Sequence, residues 1–107
     1  MAIKVKIDLS NDRLNVVNTI WQYCHLHADS KQKQLFNNIW GLLADKLSTL
    51  AIRKRQLPPN KRYTLKLQYW EAYYLQLALL HGIKFIPNLY EQTVLQNISN
   101  ELDKELA

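Results

Sequence analysis

Arg53, Lys54, Arg55, Lys61 and Arg62 place five positive charges within ten residues, with no acid among them. A nucleic-acid backbone binds such a cluster by releasing its condensed counterions. Lys4, Lys6 and Lys66 would extend the patch if folding brought them alongside. A plainer reading competes with this one. Arg53, Lys54 and Arg55 close a long apolar-striped segment, and cations in the last turn of a helix offset its unpaired carbonyls by about 0.3–1 kcal/mol each. Lys61 and Arg62 are then ordinary loop charges.

Cys24 and His27 stand three residues apart and would share a helix face, which supplies two ligands for a metal. A structural zinc site needs four. Beyond His25, the chain offers only His81 and no second cysteine, so carboxylates or a second subunit would have to complete the set. The expectation is a buried thiol with histidines at helix ends, and no metal or other cofactor. Glu71 is the only acid between Lys46 and Tyr90, which makes it a general-base candidate. Its simpler role is at a helix start, where the dipole favours a carboxylate. No phosphate loop, GxGxxG or HExxH is present, and none of Ser10, Ser30, Ser48 and Ser99 lies in a GxSxG elbow. The chain therefore reads as non-catalytic.

The run Tyr69-Trp70-Glu71-Ala72-Tyr73-Tyr74 is dense in aromatics that combine an apolar body with a polar tip. Trp70, Tyr73, Tyr74 and Leu77 would share one helix face and are expected in the core. Tyr69 and Tyr63 are the candidates for a protein interface, with base stacking as the alternative.

These residues need elements to position them. Ile3, Val5, Ile7 and Leu9 alternate with Lys4, Lys6 and Asp8, the period of a half-buried strand over residues 3–9. Tyr63, Leu65 and Leu67 repeat the pattern over residues 63–67, and the two segments are expected to pair. Val17, Ile20, Trp21 and Cys24 predict a first helix over 11–27. Leu35, Phe36, Ile39, Trp40, Leu43, Leu47 and Leu50 predict a second over 30–56, capped by Asp29 or Ser30 and stopped before Pro58. A third helix spans 69–81, with Gly82 as its left-handed stop. Tyr90, Val94, Leu95, Ile98, Leu102 and Leu106 mark a fourth over 89–106, behind an Asn88/Glu91 capping box. No internal repeat and no linker divides the chain. The fold class is mostly α (α+β): a four-helix bundle-like single domain, 1–107, with a small ribbon formed by residues 3–9 and 63–67.

Composition fits that class. The 107 residues are 48% hydrophobic with a net charge of +5, which excludes a disordered chain. Two glycines and three prolines exclude a turn-rich β sandwich. One cysteine excludes an internal disulfide and points to a reducing, cytoplasmic setting. The alternating N-terminus does not read as a signal peptide, and no segment reads as a membrane span. Residues 1–70 hold 12 Lys+Arg against four Asp, whereas residues 71–107 hold two Lys against five Asp+Glu. Such asymmetry suits a polyanion or a second copy. The first functional expectation is an accessory or protein-interaction subunit, self-associating as a homodimer through its aromatic and leucine-rich helices. The alternative is a small nucleic-acid-binding protein using the 53–62 basic loop.

Overall fold

The computed structural model describes residues 4–24, 29–54, 58 and 61–107. Strand β1 (Lys4–Ser10) runs directly into α1 (Asn11–Asn18), which tightens into a 3-10 turn at Thr19–Gln22. Helix α2 is Lys31–Lys54, and strand β2 is Arg62–Gln68. Helix α3 (Tyr69–Gly82) passes through a second 3-10 turn at Ile83–Phe85 to α4 (Leu89–Leu106). The protein is thus mostly helical, four helices joined to one small antiparallel ribbon. Lys4 pairs with Gln68, Ile7 with Leu65, and Ser10 with Arg62. The second lysine-bearing strand therefore lies antiparallel against the first, as expected from the alternation of the two segments.

Local chemistry explains most boundaries. The Ser10 hydroxyl accepts a 3.2 Å bond from the Arg13 amide and so opens α1. Ser30, not Asp29, caps α2 by accepting from the Lys33 amide, while Asp29 forms an ion pair with Lys33 at 3.0 Å. Asn88 accepts from the Glu91 amide at the start of α4. The first helix is shorter than its apolar spacing predicts. The Thr19 hydroxyl donates to the Val16 carbonyl at 2.6 Å, where the turn narrows. Residues 25–27 of the predicted first helix and 55–56 of the second lie outside the described residues.

Strand and helix starts repeat although residue types do not. β1 and β2, α1 and α3, and α2 and α4 each begin 58 residues apart, at Lys4 and Arg62, Asn11 and Tyr69, Lys31 and Leu89. Buried positions follow the same offset: Ile7 with Leu65, Leu14 with Ala72, Val17 with Leu75, Ile20 with Ala78, and Trp40 with Ile98. The chain is a β-α-α unit used twice, and the two units meet at the ribbon. Each helix pair packs internally, α1 on α2 and α3 on α4. The units also pack crosswise, α2 on α3 and α1 on α4. One hydrophobic core results, with the inner ribbon face (Val5, Ile7, Leu9, Leu65, Leu67) as its roof. Within the second unit a buried polar pair is bonded: Ser99 Oγ of α4 donates to Gln76 Oε1 of α3 at 3.1 Å.

Two expectations are corrected. Gly82 is not a left-handed stop: its φ is −100°, and no described residue has positive φ. Glycine suits the position because a Cβ would lie 2.7 Å from Ile20 Cδ1, which would then have to shift. Trp70 and Tyr73 are not core residues, being 48% and 47% exposed. The small side chains of Ala72 and Ala78, with Leu75 and Leu79, face inward in their place.

Candidate functional site

Two surfaces hold the chemistry. The first is the outer ribbon face. Strand alternation sends Val5, Ile7 and Leu9 inward and leaves Lys4, Lys6 and Asp8 exposed. On β2 the same alternation exposes Arg62, Thr64 and Lys66. The register sets Lys6 directly opposite Lys66. Asp8 accepts a 2.9 Å bond from the Thr64 hydroxyl, its cross-strand partner.

The remaining predicted cations do not join this face. Arg53 borders a surface hollow with Asp45, Lys46, Thr49 and Leu50. The Lys54 ammonium sits 5.2 Å from the centroid of the Tyr63 ring, on the inner side of β2. Successive residues on a helix diverge by about 100°, and here Arg53 turns to the hollow while Lys54 turns to Tyr63. Lys61 is exposed just before β2, and Arg55 lies outside the described residues. The structure therefore unites Lys4, Lys6, Lys66 and Arg62, and separates Arg53 and Lys54 from them.

The second surface is the outer face of α3. Tyr69, Trp70, Tyr73 and Leu80 are each about half exposed, with Leu77 half-buried between them. No charged side chain interrupts the five. Glu71, the helix's only acid, points the other way and is buried. Its Oε1 accepts from the Gln68 amide at 2.8 Å, and its Oε2 meets Lys46 Nζ at 2.6 Å. Both carboxylate oxygens are thus engaged in closing the N-terminus of α3 and fixing it to α2. That is a structural role rather than that of a free general base. Behind the face, Trp40 donates from Nε1 to the Tyr74 carbonyl at 2.9 Å and packs on Phe36 and His81.

No protein-family model matches the chain, and no curated protein or solved structure does. The residues themselves carry the reading. Tyr69 stands on the α3 surface, where its hydroxyl reaches toward the Leu106 carbonyl at 3.5 Å. Tyr63, the other predicted interface residue, does not accompany it. Tyr63 is half-buried at the opposite end of β2, and burial raises its phenol above the usual range. Its hydroxyl is buried with no hydrogen-bond partner among the described residues. A buried polar atom left unpaired costs about 1–3 kcal/mol. Tyr63→Phe, which keeps the ring beneath Lys54, is therefore expected to raise the unfolding free energy by about 1 kcal/mol, read from the urea midpoint.

Cys24 is a buried thiol pushed up to about 11 by desolvation, so it is a poor thiolate at neutral pH. His25 and His27 lie outside the described residues. His81 lies in the last turn of α3, where its ring stacks on Trp40 with 5.9 Å between centroids. No cluster of three potential metal ligands occurs among the described residues. No helix among them is long and apolar enough to cross a membrane. The exposed α3 face is hidden in the sequence because the helix is apolar on nearly every side, which obscures its phase. The run of four apolar residues from Leu77 to Leu80, too many for one buried stripe, is the available signal.

Proposed function

We propose that this protein is a non-catalytic interaction subunit that self-associates through the outer face of α3. The observation that carries the reading is the uncharged stripe of Tyr69, Trp70, Tyr73, Leu77 and Leu80 on a helix already buried along its other side. A helix apolar all round belongs inside a larger assembly. Tryptophan and tyrosine are the residue types that dominate interface energies. The occupant that fits is a second copy. With a net charge of +5, two copies repel over most of their surface, and this stripe meets its own twofold mate without opposing like charges. Glu71 and Cys24 are committed to the fold, which supports the non-catalytic part of the reading.

Sedimentation velocity over about 1–100 µM tests it. The wild type should shift from monomer to dimer within that range. Trp70→Ala/Tyr73→Ala should weaken the dimer at least 30-fold, on the scale of about 2 kcal/mol for one interface anchor. Its far-UV melting should stay close to wild type, because both side chains are half exposed in the single chain. A wild-type protein that stays monomeric at about 100 µM would overturn the proposal. So would a double variant that dimerises undiminished.

A further inference from the structure

The outer ribbon face carries a charge arrangement that solubility alone does not require. Lys6 and Lys66 oppose each other directly across the strands. Like charges in that register destabilise a sheet, whereas a Lys–Glu pair would contribute about 0.2–1 kcal/mol. The one acid on the face, Asp8, is bonded to Thr64. Among the described residues, none of Lys4, Lys6, Lys66 and Arg62 forms an ion pair. The result is a cluster of three unneutralised lysines at one end, with Arg62 and the preceding Lys61 at the other.

The dimensions select the partner. Paired strands lie about 4.8 Å apart, and alternate residues on one strand repeat about every 6.7 Å. A ribbon of that width fits the B-DNA major groove, about 12 Å wide and about 8.5 Å deep, which admits two antiparallel strands. Its residue repeat spans two base-pair steps of about 3.4 Å each. The major groove of duplex RNA is too narrow for side chains to read. Lysine donates to the O6 and N7 acceptors of guanine, and also neutralises phosphate. We infer that the outer ribbon face enters the major groove of duplex DNA. Lys6 and Lys66 across the face, with Lys4 and Arg62 at its ends, are placed toward the phosphates that border the groove. Arg53 takes no part, since it lies on another surface. DNA binding by the ribbon is independent of self-association through α3.

Fluorescence anisotropy with a labelled mixed-sequence DNA duplex of about 20 bp, between about 50 and 200 mM salt, tests it. Duplex RNA of the same sequence and phosphatidylserine vesicles serve as competitors. Four cations predict a slope of log affinity against log salt of about −3 to −4. Lys6→Gln/Lys66→Gln should lower affinity at least tenfold and reduce the slope by about two. It should melt no lower than wild type, because it removes a like-charge pair. Lys4→Gln/Arg62→Gln should produce a similar loss of slope from the ends of the face, and Arg53→Gln should bind within twofold of wild type. The inference is overturned if no DNA binds at about 50 mM salt, if duplex RNA or the vesicles compete as well as unlabelled DNA, or if both ribbon variants bind like wild type.

Discussion

Trp40→Ala is expected to destabilise the protein by about 4 kcal/mol, more than any other single substitution at the joint between the helices. The indole is 4% exposed, where α2 meets α3. Three losses combine. The ring's contacts with Phe36 and His81 disappear, with centroids now 5.8 and 5.9 Å away. The Nε1 bond to the Tyr74 carbonyl is gone. A cavity opens where two crossing helices cannot close together, because Lys46 and Glu71 hold them at the far end of the joint. Trp40→Phe separates these losses. It keeps most of the apolar contact and drops the hydrogen bond, so it should cost about 1–2 kcal/mol. Urea unfolding checks both values, and the near-UV spectrum of Trp40→Ala should flatten where the aromatic cluster loosens. A cost below about 1 kcal/mol for alanine would show that the joint is held elsewhere. The consequence reaches function: the α3 stripe is a rigid surface only while its inner side is seated on α2.

The sequence makes some of this legible and hides the rest for identifiable reasons. Both strands can be read because Val5, Ile7, Leu9 and Leu65, Leu67 alternate with polar residues, and a period of two admits only one assignment of faces. That alternation also puts Lys4, Lys6 and Lys66 on the polar side. Lys6 opposite Lys66 cannot be foreseen, because register depends on how the 54–62 connection returns the chain. The phase of α3 is hidden by its own composition. With leucine at 75, 77, 79 and 80, several faces could be buried, and Ala72 and Ala78 decide the matter by allowing close approach. The doubled β-α-α unit is invisible for a related reason. Its equivalent core positions hold residues of different size, Leu14 against Ala72 and Ile20 against Ala78. Equivalent positions need only be buried, not alike in size, as long as the shared core is filled. Arg53 and Lys54 look like partners of the strand lysines only when neighbours in sequence are taken for neighbours in space.

Gly82 faces Ile20 and Tyr23 of the first unit, and Gly82→Val is expected to cost about 3 kcal/mol. A Cβ at this position would stand 2.7 Å from Ile20 Cδ1, 3.2 Å from Ile20 Cγ1 and 3.5 Å from Tyr23 Cβ. Ile20 is fully buried, so moving its methyl disturbs core neighbours rather than solvent. Overpacking of this kind costs about 1–3 kcal/mol, and valine's branches deepen it. Gly82→Ala is milder, about 1 kcal/mol net, because alanine recovers about 1 kcal/mol of helix propensity while still meeting Ile20. The decisive measurement is a double-mutant cycle with Ile20→Val, which deletes the Cδ1 in the way. If Gly82 is required for space, Gly82→Ala/Ile20→Val should be at least about 1 kcal/mol more stable than the two single costs summed. If Gly82 were required for a left-handed backbone, alanine would still be destabilising, but trimming Ile20 would give no rescue. The observed φ of −100° predicts the rescue. The same cycle would also report whether the two β-α-α units are held together by a close contact at this point, as the ribbon and the crosswise helix packing require.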